Sequence, residues 1–298
     1  MGWVGRDLFA ADHPRRVVQE VPWGRLERVA EGVWAMVSTP LEDRRTLCNG
    51  GIIQGPAGVV MVEAFGSTEG GTWMAEQARR LTGRWPDQVV VTHYHGDHSS
   101  GLPGLQEAEE SAAVRMTEHT RRRTRETAEA GENTALAEAL QGVTLLPDAR
   151  HTVLDLGGRS VRVVPREGHT GSDVTVELDD PSVVFCGDLV WHRFFPNYMD
   201  ARPSELTRSV ASLVRERATA YVPGHGPLAD PAQLELYRAL LDEVEAHARE
   251  AHAAGRSAAE AAETFRLPAP LSEWFRFSDT YPERALGAWL QELDSANP

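Results

Sequence analysis

Cysteine is scarce in this chain, and its scarcity removes several classes of protein from consideration. Only two of the 298 residues are cysteines, Cys48 and Cys186, and neither belongs to a Cys-x-x-Cys pair. A disulfide scaffold, a zinc finger and a dithiol redox centre are therefore poor interpretations. We expect both cysteines to be small buried apolar residues, and Cys186 to pack beneath Asp188, two positions further along one predicted strand.

Long apolar runs are also missing. The sequence contains no run of 18 apolar residues, so it predicts no transmembrane helix. Residues Met1 to Asp7 have no basic segment followed by an apolar one, which is the pattern of a secretory signal, although a signal already removed would leave the same sequence. We therefore expect a cytoplasmic protein with no membrane partner.

The chain also lacks the basic excess that a nucleic-acid-binding protein needs. Its formal net charge is −14, from 44 acidic and 30 basic residues. Phosphate backbones require a basic footprint, so we expect no nucleic-acid partner and a small-molecule substrate. The arginines between Arg121 and Arg125 are interpreted as a solvated helix face. With 41% hydrophobic residues, a chain of this length can bury a large core.

The most informative stretch runs from Thr92 to His98 and contains His93, His95, Asp97 and His98. It follows an apolar, β-branched run that predicts a short buried strand. Imidazole and carboxylate groups are ligands of divalent metals. His93 and His95 alternate, so an extended backbone points them to one side. Asp97 and His98 are adjacent and are expected to diverge, which suits two neighbouring metals better than one.

Further candidate ligands stand in three later turns, at His169, Asp188 and His225. Each follows a strand-like run and is preceded by glycine, which permits a sharp turn at a strand end. Any one of them alone is equally well explained as an ordinary turn residue. Together with the first stretch they form a consistent set of metal ligands.

This ordered set resembles the motifs of the metallo-β-lactamase fold superfamily, over about residues 26 to 230. The resemblance implies an α+β four-layer αββα sandwich, with the metals at one edge of its two sheets. It also implies that one metal is held by His93, His95 and His169, that the other is held by Asp97, His98 and His225, and that Asp188 bridges the two. We accordingly expect an N-terminal extension (1–25), a catalytic domain (26–230) and a C-terminal helical region (231–298) packing on it.

The activity that the resemblance implies is that of a binuclear zinc hydrolase. A metal-bound hydroxide would attack the carbonyl of a small ester, lactone, thioester or amide. Relatives that hold two irons usually have Glu at the position of His95, so His95 favours zinc over iron or manganese. Asp188 makes a specialised β-lactamase less favoured, because those enzymes usually have another residue there. The alternatives are a β-lactamase-type amide hydrolase, a mononuclear-iron persulfide dioxygenase, and a non-catalytic protein that retains the fold.

Three residues are candidates for catalytic roles beyond metal binding. Asp97 would orient the water or accept a proton, His192 would donate a proton or bind substrate, and Tyr198 would stabilise an oxyanion as a tyrosine does in lactonases of the family. For His192 and Tyr198 a structural role is the stronger alternative. The aromatic stretch from Trp191 to Met199 would line an apolar pocket or, for about half of its members, belong to the core.

Two supporting residues and several elements complete the expectations. Glu63 stands where the family usually has an Asp that supports the metal loop, and Asn49 is a candidate for shaping the pocket mouth. Residues 1–25 are expected to be irregular, with both terminal extensions available for contacts with a second copy of the chain. Helices are predicted at Thr68–Leu81, at Glu118–Leu140 in one or two pieces, at Ser204–Glu216 with Ser204 as N-cap, at Ala232–Ala254, and along a helical, aromatic-rich tail from Ser257 to Pro298.

Overall fold

The computed structural model describes residues 16–39, 47–105 and 112–296. In this part of the chain eight strands form one sheet in sequential order, antiparallel from the first to the fifth and parallel from the fifth to the eighth. These strands are β1 Arg16–Val21, β2 Gly24–Ala30, β3 Val33–Ser38, β4 Gly50–Gln54, β5 Val59–Val62, β6 Gln88–Val90, β7 Ala113–Thr117 and β8 Thr144–Leu146.

A second sheet of five strands is built from the later part of the chain, in the order β13-β12-β11-β10-β9. Its neighbours are antiparallel except for the pair β12 and β13, which is parallel. The strands are β9 Thr152–Asp155, β10 Ser160–Arg166, β11 Asp173–Leu178, β12 Val183–Trp191 and β13 Ala220–His225. Both β11 and β12 are buried along their whole length, as strands covered on both faces must be.

Helices cover the outer face of each sheet. The described helices are α1 Thr68–Thr82, α2 Gly96–Ser99, α3 Glu118–Ala130, α4 Thr134–Ala139, α5 Pro203–Ala211, α6 Pro231–Ala253, α7 Ala258–Thr264 and α8 Tyr281–Ala296, with short 3₁₀ turns at Leu102–Leu105 and Leu271–Glu273. Apolar side chains of α1, α3 and α4 pack on the first sheet, and those of α5 to α8 pack on the second. A third apolar cluster lies between the sheets, so the predicted αββα sandwich is confirmed.

Local sequence signals place several helix ends correctly. Ser67 caps α1 by accepting a hydrogen bond from the Gly70 amide, and Gly83 ends the helix with φ of 77°. Asp230 and Gln233 form a reciprocal capping box at the start of α6, which satisfies two otherwise unpaired backbone donors. The predicted break between α3 and α4 near Gly131 is also present.

Three element predictions are wrong. Residues 16–25 are not irregular, because β1 pairs with β2 in the first sheet; residues 1–15 lie outside the described residues. Ser204 does not cap α5, since Pro203 is already its first residue, Arg202 stands at the N-cap position, and the helix ends at Ala211. The tail is not continuously helical: an extended stretch separates α7 from α8 and contains a bridge between Phe275 and Phe194.

Candidate metal centre

The seven predicted ligands come together at one edge of the sandwich. The loop after β6 and the short helix α2 supply His93, His95, Asp97 and His98, while the second sheet supplies the remaining three from the loop after β10, from β12 and from the end of β13. Five of the seven are almost completely buried, and the two that retain partial exposure are His95 and Asp97. The buried residues are His93, His98, His169, Asp188 and His225.

The first group consists of three imidazoles and one carboxylate oxygen. Nδ1 of His95 lies 3.1 Å from Nε2 of His93 and 2.9 Å from Nε2 of His169. Oδ2 of Asp188 is 3.3 Å from Nε2 of His169 and 3.8 Å from Nε2 of His93. These four side chains could together hold a metal ion, because three nitrogens and one oxygen at such spacing resemble a tetrahedral ligand shell.

The second group faces the other oxygen of Asp188. Oδ1 of Asp188 lies 3.1 Å from Nε2 of His98 and 3.4 Å from Nε2 of His225. Oδ2 of Asp97 is 3.2 Å from the same nitrogen of His225 and 3.5 Å from that of His98. Asp97 and His98 were expected to diverge, but they converge because they stand on the helical turn α2 and not on extended backbone.

A glycine makes room for the carboxylate between the two groups. A Cβ atom on Gly224 would lie 1.9 Å from Oδ1 of Asp188, well inside van der Waals contact. Gly187, directly before Asp188, has φ of 53°, a left-handed conformation that glycine adopts without steric strain. The two glycines that the sequence places before Asp188 and His225 therefore serve the close approach of β12 and β13.

Several polar atoms in this cluster are buried without a properly directed hydrogen bond. They are both ring nitrogens of His98 and of His225, Nδ1 of His169 and Oδ1 of Asp188. Buried polar atoms normally find a partner, and unpaired ones are costly. Lone pairs on Nε2 of His98, Nε2 of His225 and Oδ1 of Asp188 face one another, so a bound cation would satisfy all three. The residues present thus fit a metal centre.

The electrostatics differ between the two groups. Burial lowers the pKa of His169 to about 3 and also holds the pKa of His93 well below its usual value, so both rings are neutral, as metal ligands must be. Burial also acts against the charged form of His225, but the nearby carboxylates of Asp188 and Asp97 outweigh it and raise the pKa of His225 to about 9. The two carboxylates of the second group therefore favour a cation between them.

Glu63 supports the metal loop despite its extra methylene. Its Oε1 accepts a hydrogen bond from Oγ1 of Thr92 at 2.6 Å, its Oε2 accepts one from the Thr92 amide at 3.1 Å, and Oε1 also lies 3.1 Å from Nδ1 of His98. The backbone of Glu63 has φ of 74°. A carboxylate behind a ligating histidine fixes its ring orientation and tautomer, so Glu63 is positioned to orient His98.

Asn49 joins the first sheet to the end of β13, where His225 stands. Its Oδ1 accepts from the Ser38 amide at 2.8 Å, and its Nδ2 donates to the Gly226 carbonyl at 2.7 Å. Its own amide donates to the Gly224 carbonyl at 2.7 Å. Because both neighbours of His225 are tied to Asn49, this side chain links the first sheet to the ligand at the end of the second.

Two further carboxylates accept hydrogen bonds from candidate metal ligands, and the sequence analysis identified neither of them. Oδ2 of Asp200 accepts a hydrogen bond from Nε2 of His95 at 2.9 Å, and this bond, with a smaller contribution from Tyr94, lowers the pKa of Asp200 to about 2. Asp173 accepts from the amides of His169 and Thr170 at 3.1 and 3.0 Å, although its burial raises its pKa to about 7. Asp200 is 105 residues from His95 in the sequence, so no local sequence pattern predicts this contact.

His192 and Tyr198, for which catalytic roles were considered, are not among the described residues that line the cavity next to the two groups. Nδ1 of His192 lies 2.9 Å from the Pro227 carbonyl, and its ring meets Trp274 edge-on. Tyr198 is 2% exposed and faces Trp289, and its burial raises the pKa of its hydroxyl. Both side chains belong to the interior beneath α6 and α8, which was the alternative that the sequence left open.

A cavity of about 430 Å³ opens onto the two groups. From the aromatic stretch after Asp188 it receives Trp191, Asn197 and Met199, whereas Phe194 and Phe195 are buried in the core. The C-terminal region adds Phe277 and Tyr281 to its wall. Sequence reasoning expected these late aromatic residues to dock on the core or on a second subunit and did not connect them with the pocket.

The same architecture and ligand order are those of a known family. The family profile described as "Metallo-beta-lactamase superfamily" matches residues 43–241, about two thirds of the chain.

The chain belongs to the metallo-beta-lactamase superfamily. A hydroxyacylglutathione hydrolase of Parasynechococcus marenigrum is 27% identical over 147 residues, 47% of this chain and 50% of that protein. A lactamase-like protein nscB of Trichophyton equinum is 26% identical over 152 residues, 50% of this chain and 39% of that protein. The chain thus matches half or less of the length of these curated relatives.

Solved structures of superfamily members share the fold. A metallo-beta-lactamase from Pontibacter korlensis aligns with a TM-score of 0.58 and 22% identity, over 73% of this chain and 98% of that one. FIM-1 of Pseudomonas aeruginosa, in its mono-zinc form, aligns with a TM-score of 0.59 and 19% identity, over 75% and 96%. Identities this low establish the fold alone. Among the described residues no helix is long and apolar enough to cross a membrane.

Proposed function

We propose that this chain is a metal-dependent hydrolase that holds two divalent cations, mainly zinc, in the two groups described above. The observation that carries the proposal is the orientation of Asp188, whose Oδ2 faces His93 and His169 while its Oδ1 faces His98 and His225. A carboxylate with each oxygen turned to a separate set of imidazoles is suited to bridge two cations. Nitrogen-rich sites of this kind favour zinc over iron or manganese.

The reaction that the site supports best is hydrolysis of a carbonyl compound, an ester, lactone, thioester or amide. Two cations held by these residues would lower the pKa of a water molecule and polarise the carbonyl group. Asp97 lies at the border of the cavity, with 26% of its side chain exposed. It is placed to orient the attacking water, to take up the proton that the water loses, and to pass it to the leaving oxygen, sulfur or nitrogen as that bond to the carbonyl carbon breaks.

Nucleophilic catalysis by cysteine is not part of this proposal. Cys48 and Cys186 are both completely buried. Burial raises the pKa of Cys48 to about 12 despite the nearby His98, and it raises the pKa of Cys186 further. Thiols in this state are not reactive nucleophiles, so attack by water is the mechanism that the side chains favour.

Within the hydrolases, the thioester class receives some support from the relative named hydroxyacylglutathione hydrolase. The alternative of a mononuclear-iron persulfide dioxygenase is less well supported, because one metal in the first group would leave Asp97, His98 and His225 without a use. The partners we propose are a small-molecule substrate and, through the terminal regions, a second copy of the chain; nucleic acid and membrane are not proposed as partners, and a cytoplasmic location remains part of the proposal.

Metal content is the decisive measurement. Zinc-reconstituted protein should contain two metal ions per chain by elemental analysis. Asp188→Asn should lose at least one of them, because an amide cannot neutralise the repulsion between two dications. Asp242→Asn, an exposed carboxylate on α6, is the matched control and should retain both. A wild-type content of one metal or fewer would contradict the proposal of two cations.

Activity is measured next, with a panel of ester, lactone, thioester and β-lactam substrates. We expect turnover of at least one carbonyl substrate that chelation abolishes and zinc restores. One iron per natively purified chain together with sulfur-dependent oxygen consumption would favour the dioxygenase instead. Turnover that survives complete removal of metal would exclude the proposed mechanism.

A further inference from the structure

One wall of the reaction cavity is made by the C-terminal region, outside the residues that the family profile matches. The profile ends at residue 241, whereas Phe277 and Tyr281 line the cavity beside Trp191 and Met199. The ring centroid of Phe277 lies 5.8 Å from that of Trp191 and 6.0 Å from that of His225. The ring of Tyr281 lies 6.5 Å from that of Trp191. We refer to Trp191, Phe277 and Tyr281 as the aromatic wall.

We propose that the aromatic wall selects substrates in which the hydrolysed carbonyl carries an apolar substituent, aromatic or of medium chain length. This inference rests on the hydrolase function proposed above and specifies its substrate class.

The segment that carries Phe277 is fixed in place by backbone hydrogen bonds. The Phe195 amide donates to the Phe275 carbonyl at 2.8 Å, and the Phe275 amide donates to the Arg193 carbonyl at 3.0 Å. The rings of Phe194 and Phe277 stack with centroids 5.3 Å apart. The chain directly after Asp188 therefore holds the C-terminal segment against the pocket, and a wall that is already ordered loses little entropy when a ligand binds.

Tyr281 is held equally firmly, as the first residue of α8. One turn further along the helix, Nη1 of Arg284 donates to Oδ1 of Asn197 at 2.7 Å, and its guanidinium lies 5.3 Å from the centre of the Tyr281 ring. On the opposite side of α8, Leu286 and Trp289 are buried in the cluster that covers the second sheet. The position of Tyr281 is thus set from both sides of the helix.

The chemistry of the lining favours an uncharged apolar group. Beyond the candidate ligands, the described residues that line the cavity are apolar or aromatic, apart from Gly96 and the amide of Asn197; none of them is an arginine. A carboxylate on the substrate would therefore find no guanidinium partner among them, whereas a hydrocarbon group would cover aromatic surface. Burying one methylene contributes about 0.8 kcal/mol, or about a fourfold gain in affinity.

Binding of simple carboxylates tests the wall without depending on turnover. Butanoate, hexanoate and octanoate are titrated into zinc-reconstituted protein by calorimetry, the carboxylate serving as the metal-side anchor. We expect the affinity to rise about three- to fourfold per added methylene. Phe277→Ala and Tyr281→Ala should reduce this increment to less than about twofold, since both rings are only partly buried and their loss is not expected to prevent folding.

Two variants serve as controls. Tyr281→Phe keeps the ring and should keep the increment, so a loss as large as that of Tyr281→Ala would mean that the hydroxyl matters and would overturn the apolar wall. Phe265→Leu alters a buried aromatic residue of the same C-terminal region that packs on Phe195 and His247 and does not line the cavity. It should leave the increment unchanged.

Hydrolysis then separates the inference from the function on which it rests. Two series of esters are used, one lengthened on the acyl side and one on the leaving-group side. The inference is supported if kcat/KM rises with chain length in either series and if Tyr281→Ala reduces this rise. The series that shows the rise identifies whether the acyl group or the leaving group contacts the aromatic wall. Turnover without any dependence on chain length, together with a flat carboxylate series, overturns the inference and leaves the hydrolase intact. A rising carboxylate series without turnover of any ester, lactone, thioester or β-lactam in these series or in the panel described above supports the apolar site and overturns the hydrolase.

Discussion

At the scale of single residues, several candidate ligands are positioned by carboxylates that are not candidate ligands themselves. Glu63 stands behind His98, Asp200 behind His95, and Asp173 behind the backbone of His169. Glu63 and Asp200 face ring nitrogens, so they set which nitrogen is protonated and how the ring is turned, whereas Asp173 fixes the backbone of His169. The preorganisation of the centre therefore depends on residues drawn from three different parts of the chain.

Asp200→Asn is expected to weaken metal binding without loss of the fold. The amide keeps the size of the side chain but removes the charge that Nε2 of His95 faces, so His95 becomes a weaker ligand. Loss of a carboxylate behind a ligating histidine typically costs about 10- to 100-fold in metal affinity. Competition with a chromophoric chelator measures the affinity for zinc.

Asp242→Asn again serves as control, because this residue lies on the exposed face of α6. Equal zinc affinity in Asp200→Asn and Asp242→Asn would remove Asp200 from the metal centre. A loss of thermal stability that is already present in the metal-free protein would point to a structural role for Asp200 instead.

The sequence predicts the residues that face the metal positions but not all of those that support them. The five histidines and two aspartates are recognisable because four of them crowd together after one predicted strand and each of the other three follows a strand-like run with glycine directly before it. Glu63 could be named because the family usually has an Asp at its position, and Asn49 because it stands directly before two glycines. Asp200 and Tyr281 could not, since their roles arise from contacts between elements distant in sequence.

At the scale of elements, the second sheet contains a buried carboxylate that is surrounded by arginines. Glu177 on β11 accepts from Nη2 of Arg166 at 2.9 Å and from Nη2 of Arg215 at 2.7 Å. Oγ1 of Thr175 donates to it at 2.7 Å. These contacts join β10, β11 and the segment that leads into β13, so they tie together the parts of the second sheet that lead to His169 and to His225.

Glu177→Gln is expected to destabilise the fold by about 2 kcal/mol, because it leaves partly buried guanidinium groups without a charged acceptor. Burial acts to raise the pKa of Glu177, but the hydrogen bonds from Thr175 and Arg166 and the arginine charges outweigh it and lower the pKa below 4.5. The stabilisation is therefore complete above pH 4.5 and is lost as the pH falls through the lowered pKa.

Urea unfolding of wild type and Glu177→Gln as a function of pH measures this difference. The gap between the two proteins should be constant near neutrality and should narrow in acid. Glu235→Gln, which removes the exposed partner of Arg238 on α6, should change stability by less than about 0.5 kcal/mol. A gap for Glu177→Gln that is no larger than this control would show that the buried cluster contributes little.

Element boundaries follow from the sequence where a local signal exists. Ser67, Gly83 and Asp230 mark helix ends by their own hydrogen bonds or conformation. By contrast, no residue of β1 is fully buried, and the strand exists because it pairs with β2. The extended stretch before α8 likewise depends on its contact with residues 193–195. Both errors concern segments whose structure is imposed by a neighbouring element.

At the scale of the whole molecule, each candidate metal position is shared by the two sheets. In the first group, His93 and His95 follow a strand of the first sheet, and His169 follows a strand of the second. In the second group, Asp97 and His98 follow the same strand of the first sheet, and His225 ends a strand of the second. Asp188 contributes to both positions from the second sheet. A cation at either position therefore connects the two halves of the sandwich at an edge where the interior is otherwise apolar.

Removal of metal is accordingly expected to destabilise the whole fold and not only the loops that carry the ligands. A ligand that binds only the folded state at 1,000 times its Kd contributes about 4.1 kcal/mol, which corresponds to a fall in Tm on the order of 10 °C for a chain of this size. Calorimetric melting of zinc-reconstituted protein, with and without a chelator, measures the change. Asp188→Asn should melt close to the chelated wild type and respond little to the chelator, because it has already lost the carboxylate that both positions share. If chelation removes all metal from the wild type and leaves Tm unchanged, the cations do not connect the two sheets. The fold would then be equally stable with and without the metal centre.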